Sequence, residues 1–277
     1  MITSQIVLLG TGTPNADPAR SGSAVAIVVN DVPYLFDFGP GVVRRAAAAC
    51  QNGVTGLAVE KLCRAFLTHL HSDHTAGYAD LILTPWVLDR AQPLHVYGPV
   101  GLRAMTDHLL AAYEEDLRER TSGLQPFTKH GGEVLVEEIT ADWRYQDENV
   151  TITAFPAVHG SLIAYGFRIV TPDRTIVLSG DTAPHDRIVE YYRPCDVLIH
   201  EVYSAKAFKK RPPEWQRYHS QVHTSTQELA QIAQQMQPEM LILYHQLFWG
   251  ESEEDLVREI RAEYEGVVIS GRDLDVF

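Results

Sequence analysis

The segment His69-Leu70-His71-Ser72-Asp73-His74 places three imidazoles and one carboxylate close together in the chain. It follows Leu62–Leu67, a mostly apolar run that is typical of a buried strand. A strand that ends in this pattern can direct two histidines at one metal ion, and the turn after it can offer an aspartate and a histidine to a second ion. Nitrogen and oxygen ligands without a thiolate suit zinc, manganese or iron in a site that keeps a position for water. The spacing therefore predicts a metal site that can activate water.

Further potential ligands follow other β-rich segments. The run Val150–Val158 leads to His159, Ile176–Ser179 leads to Gly180-Asp181-Thr182, and Met240–Tyr244 leads to His245. Functional groups in α/β proteins collect on loops just beyond the strand ends. We therefore expect His159, Asp181 and His245 to join the histidine cluster.

The hydrophobic pattern predicts the elements that must position these side chains. Strands are expected at 6–9, 24–29, 34–38, 59–67, 94–97, 150–155, 164–170, 175–179, 197–200, 240–244 and 267–269, and helices at 42–50, 101–120, 224–235 and 253–263. No linker rich in Gly, Pro or Ser divides the chain. The expectation is one α/β domain over residues 1–277.

Composition limits the compartment and the partners. A run of 18 or more apolar residues is absent, so no membrane-spanning helix is expected. Residues 1–7 indicate a first strand, not a signal peptide, and the three cysteines form neither a disulfide framework nor a C-x-x-C motif. These features favour a cytoplasmic protein. The formal net charge of −13 argues against a nucleic-acid partner and favours a small substrate.

The segment Lys206–Arg217 departs from this acidic balance. Its basic residues alternate with Phe208 and Trp215, and two prolines stiffen it. Two interpretations stay open. The segment could hold an anionic, partly aromatic substrate, or it could be a solvated surface loop with a buried tryptophan.

The order of these motifs resembles the metallo-β-lactamase superfamily: His-x-His-x-Asp-His, then a single His, then Gly-Asp-Thr, then a final His. The similarity extends to its ribonuclease Z-like branch and runs almost from end to end. Its marks are Leu9-Gly10-Thr11-Gly12-Thr13-Pro14, Asp37-Phe38-Gly39-Pro40-Gly41, Tyr97-Gly98-Pro99-Val100-Gly101, His200-Glu201 and His223-Thr224-Ser225-Thr226. The resemblance implies an αββα sandwich of two mixed sheets back to back, flanked by helices.

Carried over residue by residue, the resemblance implies a dinuclear site. It assigns His69, His71 and His159 to one ion, Asp73, His74 and His245 to a second, and Asp181 to both. Two divalent ions about 3.5–4 Å apart suit ester hydrolysis by an activated water, which Asp73 would help to orient. Zinc is the expected metal, with manganese or iron open. Relatives of this kind are commonly homodimers, so a homodimer is also expected.

Two roles outside the ligand set follow from the same resemblance. Asp37 is expected to orient a histidine or the Gly10–Pro14 loop. Glu201 is expected to pair with His223, at the start of the 224–235 helix, and the pair would protonate the leaving group. The alternative is a helix-capping histidine beside an unrelated glutamate.

The sequence also departs from the ribonuclease Z pattern. Bacterial members carry a long Gly- and Pro-rich tRNA-binding arm between the equivalents of His159 and Asp181, whereas only 21 residues lie between them here. This difference favours a phosphodiesterase that acts on a small anionic ester. The alternatives are tRNA 3′ processing, with RNA held by a partner subunit, arylsulfatase or lactonase activity, and a metal-binding ligand sensor.

Overall fold

Two β-sheets organise the chain in the computed structural model, which describes residues 3–277. These residues divide into two units with one sheet each. The six-stranded unit comprises Gln5–Gly10, Asp17–Ile139 and Asp273–Phe277, and the seven-stranded unit comprises Thr11–Ala16, Thr140–Arg272 and the described residues before Gln5. The single domain over residues 1–277 stays a prediction, and Met1 and Ile2, at the start of the predicted N-terminal strand segment, lie outside the described residues.

The sheet of the six-stranded unit is mixed. Its strands, in spatial order, are β1 (Gln5–Gly10), β2 (Ala24–Val29), β3 (Val32–Phe36), β4 (Arg64–Phe66), β5 (Leu94–Gly98) and β6 (Val134–Glu138). The first three pair antiparallel, and β3 to β6 pair in parallel. Asn30 and Asp31 both have positive φ angles, as the tight turn between β2 and β3 requires.

Five helices belong to the six-stranded unit over the described residues. They are α1 (Val42–Gln51), α2 (Ser72–Thr75), α3 (Tyr78–Val87), α4 (Leu102–Ala112) and α5 (Glu114–Ser122), with 3₁₀ turns at Thr55–Leu57 and Val59–Lys61. The apolar faces of α1, α3 and α4 pack into one cluster with inward side chains of the sheet. Burial of this apolar surface stabilises the unit. Helix α5 contributes no buried residue to it.

Arg90 is fully buried in the six-stranded unit. Its guanidinium donates hydrogen bonds to the carbonyl oxygens of Gly131, Leu62, Leu81 and Ile82 at 2.7–3.2 Å. Burial lowers the pKa of Arg90 to about 10, so the side chain stays charged at neutral pH. The carbonyl dipoles satisfy the buried cation, and the side chain joins three separate chain segments.

The sheet of the seven-stranded unit is also mixed. In chain order its strands are β7 (Arg144–Gln146), β8 (Thr151–His159), β9 (Leu162–Val170), β10 (Thr175–Leu178), β11 (Val197–Tyr203), β12 (Met240–Leu247) and β13 (Val268–Ser270), and they lie in this order across the sheet. The strands β7 to β10 pair antiparallel, whereas β10 to β13 pair in parallel. Hairpin β9–β10 occupies the interval between His159 and Asp181.

The seven-stranded unit has five helices within the described residues. They are α6 (Ile188–Tyr192), α7 (Ala205–Phe208), α8 (Pro213–Val222), α9 (Thr226–Met236) and α10 (Glu253–Arg261). Ser225 and Glu228 form a capping box that starts α9; of the two residues that the sequence offers as the cap, Ser225 and Thr224, the structure uses Ser225. Side chains of α9 and α10 pack with β11 and β12 in the core of this unit.

Several predicted elements differ from the observed ones. The helix predicted at 101–120 is two helices that meet at Tyr113. Much of the Lys206–Arg217 segment lies in helices α7 and α8 instead of a loop. Pro213 is compatible with a helix because it lies in the first turn of α8, where the backbone N–H that proline lacks has no partner within the helix. Strands β6 and β7 were not predicted. Within residues 3–277 no helix is long and apolar enough to cross a membrane.

Candidate metal centre

The six-stranded unit holds the His69–His74 cluster in the chain just after β4. The one-turn helix α2 turns the backbone so that Asp73 and His74 are buried with His69. Nε2 of His69 lies 3.0 Å from Nδ1 of His71, and Nε2 of His74 lies 3.6 Å from an Asp73 oxygen. The rings of His69 and His74 are 4.2 Å apart between centroids. These four predicted ligands therefore form one compact donor set.

Asp37 orients two members of this cluster. Its carboxylate accepts hydrogen bonds from Nδ1 of His74 at 2.7 Å and from the amide and hydroxyl of Thr68 at 2.8 and 3.0 Å. The Thr68 oxygen in turn lies 2.9 Å from Nδ1 of His69. The expectation that Asp37 orients a histidine is confirmed. Thr68 was not predicted, although its position directly before His69 could have indicated this role.

The backbone at Gly39 packs closely against the backbone of the His69–His74 cluster. A Cβ atom on Gly39 would lie 2.3 Å from the carbonyl oxygen of Asp73, so only glycine fits there. Asp37 itself has a φ of 61°, in the left-handed region that aspartate tolerates better than most residues. In the motif Asp37-Phe38-Gly39, Asp37 therefore hydrogen-bonds His74, and Gly39 leaves room for the backbone of Asp73.

In the seven-stranded unit, three histidines surround Asp181. One Asp181 oxygen, Oδ2, lies 3.5 Å from Nε2 of His245, 3.9 Å from Nε2 of His159 and 3.9 Å from Nδ1 of His223. All four side chains are buried. Ligand atoms of His159, Asp181 and His223 all lie within 4.8 Å of one another, a grouping that can hold a cation.

The local backbone explains how these ligands are presented. His159 is the last residue of β8, and Asp181 follows β10 in the turn at Gly180, whose φ is 62°. His245 was expected to follow the end of a strand, but it lies within β12. The β11–β12 register shifts so that Tyr244 and Gln246 have partners and His245 becomes the extra residue of a bulge, with a φ of 43°. Bulges commonly redirect a side chain in this way.

Glu201 and His223 meet as predicted, although their local structure differs. Oε2 of Glu201 lies 3.3 Å from Nδ1 of His223, while Oε1 accepts hydrogen bonds from the amides of Thr182 and Thr224 at 3.3 and 2.9 Å. Glu201 lies inside β11, and His223 ends α8 instead of starting α9. Burial, and then the neighbouring Asp181, raise the pKa of Glu201 well above its usual range. Thr182 and Thr224 were not predicted to anchor it.

The donor chemistry fits divalent metal ions. Nδ1 of His159 donates to the carbonyl of Val222 at 2.7 Å, and Nδ1 of His74 donates to Asp37, so Nε2 is the atom of each ring that could coordinate a metal. This is the usual way in which a protein orients metal-binding imidazoles. In each unit an Nε2 atom lies 3.5–3.9 Å from a carboxylate oxygen. Groups at this spacing could hold a cation between them.

Sequence comparison identifies similar proteins. Residues 33–246 match the family described as a beta-lactamase superfamily domain. The chain is 32% identical to a ribonuclease Z of Mycobacterium bovis over 98% of its own length and 96% of that relative. It is 31% identical to a ribonuclease Z of Mycobacterium sp. strain KMS, over 88% of this chain and 84% of that one.

Solved structures confirm the fold class. The metallo-beta-lactamase fold protein YhfI of Bacillus subtilis superposes with a TM-score of 0.74 at 18% identity, covering 99% of both chains. The short form of human tRNase Z gives a TM-score of 0.70 at 24% identity over 99% of this chain and 98% of that one. The α/β assignment, with two mixed sheets and helices, is therefore confirmed as a metallo-β-lactamase fold.

Proposed function

Because the chain belongs to the β-lactamase superfamily, in its ribonuclease Z-like branch, we propose that it hydrolyses small phosphodiesters with two bound divalent metal ions. Members of this family are hydrolases, and the buried His and Asp clusters suit divalent metals. We propose three details beyond this: that the substrate is a small phosphodiester, that two ions bind, and that the metal is zinc.

The proposed ligand set follows the family order. His69, His71 and His159 would hold one ion, Asp73, His74 and His245 would hold the second, and Asp181 would contribute to both. The observation that carries the proposal is the orientation of the imidazoles: His74 and His159 each donate through Nδ1 to a fixed oxygen acceptor, so that Nε2 is the atom directed at a neighbouring carboxylate.

Glu201 and His223 supply the proton chemistry. When bound, the metal ions activate water and neutralise charge on the phosphate. The backbone amides of Thr182 and Thr224 fix one oxygen of Glu201, so its other oxygen stays directed at Nδ1 of His223. The remaining nitrogen, Nε2 of His223, then delivers a proton to the departing ester oxygen. Without the glutamate, the imidazole would lose the carboxyl group that orients it for proton transfer.

Charge and topology favour a small substrate. The net charge of −13 opposes binding along a polyanion, because affinity for a phosphate backbone comes largely from neutralisation by Lys and Arg side chains. The hairpin β9–β10 occupies the interval between His159 and Asp181, where the ribonuclease Z pattern has a long tRNA-binding arm. A small diester needs neither feature.

RNA 3′ processing is the second candidate, and the relatives favour it. The Mycobacterium bovis ribonuclease Z is covered over 96% of its length, so it is not substantially longer than this chain. A short interval between His159 and Asp181 is consequently a weaker argument against RNA than the sequence alone suggested. The net charge of −13 remains the reason to prefer small diesters over RNA as the substrate.

The test is hydrolysis by the zinc- or manganese-loaded protein of bis(p-nitrophenyl) phosphate, p-nitrophenyl sulfate, a lactone and a pre-tRNA. We expect cleavage of the phosphodiester without processing of the pre-tRNA. Efficient pre-tRNA cleavage would replace the first candidate by the second. Cleavage of the sulfate or lactone alone would assign an arylsulfatase or lactonase, and metal binding without any hydrolysis would favour a sensor.

Glu201→Gln is the matched control for this panel. It keeps the size of the side chain and removes the carboxyl group that faces His223, so bound metal should stay at the wild-type level while turnover falls. The cytoplasmic location and the homodimer stay predictions.

A further inference from the structure

One face of helix α8 carries aromatic side chains that lead toward His223. Trp215, Tyr218 and His219 are spaced so that they lie on one side of the helix. The ring of Trp215 stacks on that of His219 at 5.6 Å between centroids, and His219 lies 5.6 Å from His223. Trp215 precedes His223 by about 12 Å along the helix axis, given a rise of about 1.5 Å per residue. Trp215 and Tyr218 are 46% and 43% exposed, so solvent reaches this face.

Arg211, which precedes α8, places a positive charge beside this face. Its guanidinium carbon lies 5.7 Å from the ring centroid of Trp215 and 5.1 Å from that of Trp249. Lys206 and Lys210, by contrast, both form ion pairs with Glu251, at 2.6 and 3.1 Å. Their charges are therefore partly neutralised, whereas Arg211 is held against aromatic rings.

His219 adds a buried polar atom to the same cluster. The residue is only 7% exposed, and Nδ1 has no hydrogen-bond partner among the described residues. Burial, with the nearby charges of His223 and Arg211, lowers the pKa of His219 to about 4, so the ring is neutral at pH 7. A buried nitrogen without a partner costs free energy, and a bound molecule that supplies the partner would recover it.

We propose that Arg211, Trp215, His219 and Trp249 form a binding surface for the aromatic group of an anionic ester that reacts at His223. The rings offer stacking surface, and Arg211 attracts the negative charge of the ester. This inference rests on the proposed phosphodiester hydrolysis and names the substrate class: esters with at least one aromatic substituent. The unpartnered nitrogen of His219 then contacts a polar atom of that substituent or of the ester.

The test is isothermal titration of the zinc-loaded full-length protein with two phosphonates. Phenylphosphonate carries an aromatic ring, cyclohexylphosphonate has a similar size without one, and neither contains a hydrolysable ester. We expect phenylphosphonate to bind about fivefold or more tightly, because only its ring stacks on Trp215. Contributions of metal and charge are common to both ligands and cancel in the ratio.

Two matched pairs of variants locate the preference. Trp215→Leu should bring the ratio close to one, whereas Trp143→Leu, a tryptophan of the same unit outside this cluster, should leave it unchanged. Arg211→Gln should weaken both phosphonates severalfold. Arg187→Gln removes an equivalent cation, one that lies over Tyr191, and should weaken neither.

The outcomes separate this inference from the proposed function. Equal binding of the two phosphonates, or a Trp215→Leu protein that matches Trp143→Leu, would overturn the aromatic binding surface even if diesters are hydrolysed. A phenyl preference that depends on Trp215 would support the surface even if the enzyme proves inactive on diesters. His219→Phe keeps the ring and removes Nδ1, and unchanged affinity for both ligands would overturn the role of that nitrogen.

Discussion

Two buried carboxylate–imidazole pairs in this protein differ in how completely the carboxylate is bonded. In Asp37–His74, both carboxylate oxygens accept hydrogen bonds and the nitrogen–oxygen distance is 2.7 Å. In Glu201–His223, only Oε1 is anchored by amides, and Oε2 lies 3.3 Å from the imidazole. The first arrangement fixes a ring for coordination. The second leaves a carboxylate oxygen available to a ring that changes its protonation state during a reaction.

The largest expected effect comes from removing the imidazole of the second pair. His223→Ala should retain bound metal and lower kcat on the phosphodiester by about 10²–10⁴-fold, because it deletes the proton donor. The measurement combines metal analysis with steady-state kinetics. His185→Ala, a histidine of the same unit outside both pairs, serves as the control. Wild-type turnover in His223→Ala would remove the general-acid assignment.

A smaller effect is expected when the first pair is broken. Asp37→Asn can place its amide nitrogen toward Nδ1 of His74, where an acceptor is needed, and should weaken metal affinity about 10–100-fold. Competition with a chelator of known affinity measures the loss. Asp31→Asn is matched to it, because Asp31 also has a positive φ, 65° against 61°, in the same unit. If the two variants bound metal equally well, Asp37 would not be orienting a ligand.

A third buried histidine sharpens the comparison because its partners are uncharged. Nδ1 of His200 donates to the carbonyl of Glu201 at 2.6 Å, and Nε2 lies 3.0 Å from the hydroxyl of Tyr192. Burial lowers the pKa of His200 to about 4, below its usual value of 6.5. The folded state therefore keeps this ring neutral while the unfolded state takes up a proton. Stability is lost as pH falls from about 6.5 to about 4.

Urea unfolding measures this effect. Between pH 7.5 and pH 5 the wild-type protein should lose about 2 kcal/mol of stability through His200, and His200→Gln should lose correspondingly less. His130→Gln is the control, since His130 is exposed and paired with Glu133. Equal pH dependence of the two variants would show that His200 is not held neutral.

Much of the site was predictable because its ligands are local in sequence or sit at motif positions. The His69–His74 segment is set by a short strand and one helical turn, so its spacing predicts its geometry. Asp37 and Glu201 were recognised through the family resemblance, and their contacts with His74 and His223 agree with it. The presence of most strands followed from β-branched and apolar runs such as Ala24–Val29.

The remaining features depend on contacts that one sequence does not display. The bulge at His245 arises from the register between β11 and β12, which is a property of two paired strands. The prolines Pro212 and Pro213 indicate a loop in the sequence, whereas in the structure helix α8 begins at Pro213. Helices α4 and α5 separate at Tyr113, where apolar spacing gives way to the charged run of α5. Strand β6 is only partly buried and shows little apolar contrast.

Arg90 has a consequence for the tolerance of the chain to insertion and cleavage. Its side chain bonds the carbonyl of Gly131, just after the stretch that contains α5 and the fully exposed Leu124. Upstream of that stretch, α4 packs into the core of its unit through Leu102. The stretch from Glu114 to Leu124 therefore has both flanks tied to the body of the unit. A peptide inserted there, or a nick made there, would leave the hydrophobic core and both metal-ligand clusters intact.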